Sequence, residues 1–465
     1  MQLKNKTFLK WGAACIILGL VLSCESLVET SMPSNIYVER QQVFEDPSTT
    51  LAAVNGLYAQ LIASSSAYNG GAYGIASLTG LNADILAYTS QEDLELLQFE
   101  QNNLQADNSL VAGVWNSLYQ IIYNANTLME GVEASESLPQ ELVSQYTGEG
   151  LVVRAMAHFY LVNLFGDVPL VTSSDYRNNA TIPRTATQEV YQQIVVDLKE
   201  ARTKLSENYP DNGERTRINK AVATALLARV FAYTQQWEQA ADMASELIAD
   251  SQYHLVGLDS ISLANNAEAI WQLHPSRGQT NAVTAEGSLF NNYPEQYYGL
   301  TATLVDGFAA GDLRREQWVL QHSSGLFIPQ KYKVAASGGT REERSVVFRL
   351  AEQYLIRAEA KIALGELSEA IADLDVIRER AGLPSLLTVS SSWDAQALMQ
   401  ELRQNDKAEF FTEWGHRWFD LKRWSIAQSV LSAKSGFTAT DRLWPLPQSE
   451  LDNNPALRGH QNPGY

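Results

Sequence analysis

Two segments far apart in the chain carry the same pair of alanines, and that pairing constrains the fold more than any other feature of the sequence. Within 221–249, Ala228 precedes Phe231, a turn at Gln235-Gln236-Trp237 follows, and Ala240 comes twelve residues after Ala228. Within 352–380, Ala358 precedes a turn at Gly365-Glu366, and Ala370 again comes twelve residues on. Small residues at this interval sit where two antiparallel helices cross closely, so each segment is expected to form a helical hairpin. Hairpins of this kind act as scaffolds and present a surface to another molecule.

The remaining periodicity is also mainly helical. Asp46-Pro47-Ser48 opens a stretch with Leu51, Val54, Leu57, Tyr58 and Leu61 on one face. Further helices are expected from Asn108 to about Met129, over 142–165, and over 188–205; Gly166 and Pro169 stop the second of these. Two stretches, 64–108 and 251–349, break the pattern, being polar, rich in Gly, Asn and Tyr, and strand-like only in short pieces such as 269–273 and 318–320. Long irregular segments on a helical frame are where binding residues concentrate. Both are aromatic, with Tyr68, Tyr73, Tyr88 and Phe99 in the first and Phe290, Tyr293, Tyr297 and Tyr298 in the second.

At the N-terminus Lys4, Lys6 and Lys10 precede an apolar run over 11–22, then Ser23 and Cys24. That run is too short to span a bilayer, which takes roughly 20 residues, so 1–23 is expected to be a removed export signal. Val21-Leu22-Ser23-Cys24 resembles a bacterial lipobox, which makes Cys24 the expected site of lipidation and 24–33 a lipidated tether. The only other cysteine, Cys15, lies within the signal, leaving no thiol for disulfides, thiolate metal sites or nucleophilic catalysis. The formal charge of −19 becomes about −22 without the signal, which argues against nucleic acid or anionic lipid as partners. No linker divides the rest, so 34–465 is expected to fold as one domain.

A series of blocks then carries a family resemblance. Arg154-Ala-Met-Ala-His-Phe-Tyr-Leu-Val-Asn-Leu-Phe-Gly-Asp-Val-Pro-Leu170 resembles the hallmark helix of the SusD/RagB family of outer-membrane nutrient-binding lipoproteins. Similar blocks follow in family order at 304–314, 348–360 and 376–382. The C-terminal signature Glu409-Phe-Phe-Thr-Glu-Trp-Gly-His-Arg-Trp-Phe-Asp-Leu-Lys-Arg-Trp424 and the closing Gln461-Asn-Pro-Gly-Tyr465 complete the series. The resemblance implies a mostly α, SusD-like fold: tetratricopeptide-like hairpins as scaffold, a loop-rich binding region and few short strands. It implies a surface-exposed lipoprotein of the outer membrane that captures poly- or oligosaccharide and passes it to a SusC-like TonB-dependent barrel. No cofactor or metal is implied.

Within the signature, Trp414, Trp418 and Phe419 fall on one helical face, which reads as a core stripe and not as a stacking surface for sugars. Arg154 and Glu359 read as buried pairing groups. The resemblance places the ligand instead on the two irregular stretches, where Asn82, Asp84, Tyr88 and Phe99 on one side face Asn291, Asn292, Tyr293, Tyr297 and Tyr298 on the other. Aromatic plates cover the apolar faces of sugars, and Asn and Asp bond their hydroxyls. No tryptophan falls within 82–99 or 290–298, where these candidates lie, so a tryptophan-based starch platform is not expected. No His-Glu-x-x-His, Gly-x-Ser-x-Gly or phosphate loop occurs, Glu92, Asp93 and Glu95 read as a solvated acidic run, and the chain is expected not to be an enzyme. Two alternatives remain: a peptide-capturing lipoprotein, favoured by a deep groove with exposed strand edges, and a purely structural partner of the barrel, in which the tyrosines would be buried.

Overall fold

The computed structural model describes residues 40–63, 65–275, 283–291, 297–335, 339–434 and 436–465. The expected signal, Cys24 and its tether, together with Asn292 and Tyr293, lie outside these residues.

Helix α1 (Pro47–Ile62) begins at the expected cap, with Asp46 Oδ1 accepting from the backbone N–H of Ser48 at 2.8 Å and of Thr49 at 3.3 Å. Helices α2 (Ser109–Glu133) and α3 (Gln140–Phe165) follow. The side chain of Asn108 caps α2, and α3 ends at Gly166, whose φ of 73° lies in the left-handed region that glycine tolerates. Almost every residue of α3 after Tyr146 is buried, so this helix is the axis of the core. Close approach of α2 and α3 depends on Gly150, where a Cβ would lie 2.5 Å from the Met129 side chain.

Four further helices continue the stack: α4 (Thr187–Lys204), α5 (Lys220–Tyr233), α6 (Trp237–Ala249) and, after a long excursion, α7 (Leu350–Leu364). Helices α8 (Leu367–Arg380) and α9 (Ala395–Phe410) close it. Each packs on its predecessor, including α7 on α6 across the excursion. The two expected hairpins are α5–α6 and α7–α8, and Ala228, Ala240, Ala358 and Ala370 are all fully buried. Small side chains at these crossings let the two helix backbones of each hairpin approach closely, which is why their spacing marks the hairpin in the sequence.

Among the described residues six short strands form three antiparallel pairs. Strands β2 (Ala269–Leu273) and β6 (Ser345–Arg349) pair at the base of the excursion, with Trp271 stacked on Phe348 at 6.1 Å between ring centroids. Within the excursion, β4 (Val319–Gln321) pairs with β5 (Phe327–Pro329). The third pair joins the two irregular stretches: β1 (Leu86–Tyr88) runs against β3 (Tyr298–Leu300), with Tyr88 opposite Tyr298. The first stretch is less irregular than its composition suggests, since it also holds the helices Ile75–Asn82 and Leu94–Glu100. No helix among the described residues is long and apolar enough to cross a membrane.

Candidate ligand-binding surface

The β1–β3 pair exists because the chain is pinned on both sides of it. Asp84, immediately after the Ile75–Asn82 helix, accepts from Lys407 Nζ at 2.8 Å and from Arg417 Nε at 2.7 Å. Its backbone carbonyl accepts from the Thr301 hydroxyl at 2.7 Å, so one residue ties the start of β1 to the end of β3 and to the C-terminal helices. Burial would raise the Asp84 pKa, but hydrogen bonds and charge from Arg417 and Lys407 outweigh it and hold the carboxyl well below its usual range. Beyond Tyr88, the Thr89 N–H donates to the Tyr297 carbonyl at 2.8 Å and extends the ladder.

This pairing gathers aromatic rings from both stretches. Tyr88 lies 5.3 Å from Tyr298 and 6.3 Å from Tyr297, with interplanar angles of 55° and 65°. Tyr298 is 4% exposed and its hydroxyl donates to the Ala72 carbonyl at 3.3 Å, so it forms the floor. Tyr88 is half-buried, whereas Tyr297 is 36% exposed and Tyr73 is 53% exposed. The Tyr73 hydroxyl donates to Asp93 Oδ2 at 3.3 Å, while Asp93 Oδ1 accepts from the N–H groups of Glu95 and Leu96 and caps the Leu94–Glu100 helix. A tilted set of tyrosine faces with a fixed carboxylate beside it can cover the apolar side of a sugar ring and accept from its hydroxyls.

Several expected contacts do not belong to this surface. Phe99 is fully buried, edge-on to Trp444 at 5.1 Å. Asn82 is 1% exposed, donating to the Phe99 carbonyl and accepting from Trp444 Nε1 at 2.8 Å. Asn291 is also buried and donates to the Tyr332 carbonyl at 2.9 Å. Asp84 has both oxygens committed to cations. All four side chains are committed to contacts inside the protein. Conversely, sequence reasoning passed over Tyr73 as a contact and took Asp93 and Glu95 as solvated. Glu95 in fact accepts from the Ser109 N–H and hydroxyl, both at 2.6 Å, joining its short helix to the start of α2. An aspartate directly before Leu-Glu-Leu-Leu was the available sign of a helix cap.

The signature residues lie in the interior. Trp418 and Phe419 are buried, Arg154 forms a two-point pair with Asp197, and Glu359 accepts from Arg423 at 2.7 Å. Glu409, fully buried on α9, faces Arg349 at 2.5 Å, Arg314 at 3.2 Å and Arg380. Arg349 also pairs with Glu268 at 3.0 Å and Glu413 at 2.9 Å, and Lys331 with Glu413 at 2.5 Å. Burial, which would raise the Glu409 pKa, is overcome by Arg380, Arg349 and Arg314. Burial lowers Lys331 to about 8. This network draws on the excursion, β6, α8 and α9, and locks them together. Among the described residues no cluster of three or more His, Cys, Asp or Glu could hold a metal ion.

Comparison with known proteins divides the chain between two family models. One, described as SusD-like and starch-binding, associating with the outer membrane, matches residues 41–232. The other, described as the SusD family, matches residues 226–465. SusD-like protein P25 of Formosa agariphila is 25% identical, over 94% of this chain and 95% of its own length. SusD-like protein P2 of the same organism is 27% identical, over 98% and 100%. Among solved structures, a laminarin binding SusD-like protein matches with a TM-score of 0.77 at 24% identity, covering 91% of this chain and 100% of that one. Surface glycan-binding protein A from Bacteroides fluxus matches with a TM-score of 0.73 at 21% identity, over 90% and 100%. The fold is the same as in these two solved structures.

Proposed function

The chain belongs to the SusD family, non-catalytic binding proteins associated with the outer membrane, and from that premise we propose that it captures neutral poly- or oligosaccharide chains on the Tyr73, Tyr88 and Tyr297 surface. The observation that carries this reading is the β1–β3 pairing, which brings half-buried Tyr88 against exposed Tyr297, together with the hydrogen bond that holds exposed Tyr73 to Asp93. The relatives named for laminarin and for surface glycans support the same class of ligand. Carboxylates at Glu92 and Asp93 favour uncharged sugars over uronate or sulfate chains by simple repulsion.

A peptide captured by strand addition would need a strand edge to pair with, and β1 and β3 are three residues each, too short to template one. A purely structural role would bury the tyrosines, whereas Tyr73 and Tyr297 are exposed. The proposal extends to lipidation at Cys24, display at the cell surface, and delivery of the captured glycan to a SusC-like TonB-dependent barrel.

Affinity electrophoresis of the purified protein against a panel of neutral and acidic polysaccharides, followed by calorimetry of any ligand found, tests this directly. Retardation by one neutral class, without shorter products appearing, is expected. Retardation only by acidic chains, or binding of peptides in place of glycans, would overturn it.

A further inference from the structure

A cavity of about 450 Å³ opens where the end of α3, the start of α4, the His416–Arg423 helix and the segment 439–443 meet. Its wall carries Asn163, Tyr191, Tyr233, Lys422, Thr440 and Arg442, and among the described residues no carboxylate lines it. Lys422 donates to the Asn163 carbonyl and lies over the rings of Trp418 and Phe419 at 5.4 and 5.2 Å. An ammonium has three donors, so two remain for another acceptor. Arg442 donates Nε to the Ala439 carbonyl at 2.9 Å and is otherwise exposed. Among the described residues neither cation forms an ion pair.

By contrast, Arg154, Arg229, Arg349 and Arg423 each face a carboxylate. Burial, with the like charge of Arg442 adding to it, lowers the Lys422 pKa to about 7. An oxyanion seated between the two would remove the repulsion and take the ammonium's unused donors, while the Tyr191 and Tyr233 rings cover an attached apolar or sugar body. We propose that this cavity binds a small ligand bearing a single oxyanion, held between Lys422 and Arg442. The site is separate in its residues from the tyrosine surface and does not depend on the reading given to it.

The test is isothermal titration of the purified protein with sulfate, phosphate, glucuronate and, as neutral control, glucose, at ionic strength fixed with sodium chloride. The expected result is saturable binding of at least one oxyanion and none of glucose. Arg442→Gln, a change at an exposed residue, should weaken that binding at least fivefold, and Lys422→Met should do the same. Tighter binding of glucuronate than of sulfate would assign the site to a sugar acid, and the reverse to an inorganic anion. Absence of saturable binding above chloride, or equal affinity in Arg442→Gln and the parent, would overturn the proposal.

Discussion

The C-terminal signature and the tyrosine surface contrast in almost every respect. The signature concentrates tryptophans, arginines and acids in a pattern that invites a functional reading, yet Trp414, Trp418 and Phe419 are buried and, Lys422 apart, its arginines and acids pair inside the protein. The surface is built on two strands of three residues with no recognisable pattern, and it presents tyrosines to solvent. Chemically conspicuous residues are those the fold cannot do without. The proposed ligand contacts, Tyr73 and Tyr297, are side chains that the frame leaves exposed.

The sharpest way to break this contrast is to remove Glu409. Glu409→Ala leaves Arg314, Arg349 and Arg380 buried without their shared carboxylate, and a loss of about 3–5 kcal/mol in urea unfolding is expected. A loss below about 1 kcal/mol would mean that the network is not structural.

Acid should act on the same region. Asp84, Glu409 and Glu413 all have folded pKa values below those of the unfolded chain. The stabilisation they contribute is complete above the unfolded carboxylate range, near pH 4–5, and is lost as the pH falls through their lower folded values. Urea midpoints measured from pH 7 downward should therefore fall steeply below about pH 5. A flat profile would contradict the assignment.

Asp406 and Asp420 behave in the opposite sense. Burial, then mutual repulsion of the two carboxyls, raises Asp406 well above its usual value, and Asp420 is raised as well. The folded protein must hold a proton there that the unfolded chain releases, which costs stability as the pH rises. Asp406→Asn removes that cost, and a gain of about 1 kcal/mol or more at pH 7 is expected by chemical denaturation. The gain should vanish at pH 3–4, where the unfolded carboxyl is also protonated.

Asp93→Ala removes the cap of the Leu94–Glu100 helix and the acceptor of the Tyr73 hydroxyl. About 1 kcal/mol of stability should be lost, together with glycan affinity, because Tyr73 is no longer oriented. Tyr297→Ala is the mildest change for the fold, within about 0.5 kcal/mol, yet it should cost glycan binding about 0.5–1.5 kcal/mol, roughly 2- to 10-fold.

Much of the scaffold was legible because helices declare themselves over many residues. Alanine spacing identified both hairpins, and Gly166 with Pro169 marked the end of α3. The surface was only partly legible. Tyr88 and Tyr297 were singled out as aromatics of the two stretches on which the resemblance places the ligand, but Thr89 and the Tyr297 carbonyl are bonded across a separation of 208 residues, and a strand of three residues is too short to show alternation. Asp84 resembled a ligand contact because its partners, Lys407 and Arg417, lie 323 and 333 residues away. Phe99 belongs to a helix of seven residues, too brief for its period to say which face is inward.

The most direct measurement compares the parent protein with the Tyr73→Ala/Tyr297→Ala double variant, reading polysaccharide affinity and urea midpoint on the same samples. The account predicts an affinity loss of about tenfold with an unchanged midpoint. Unchanged affinity, or a loss that follows a fall in midpoint, would contradict it.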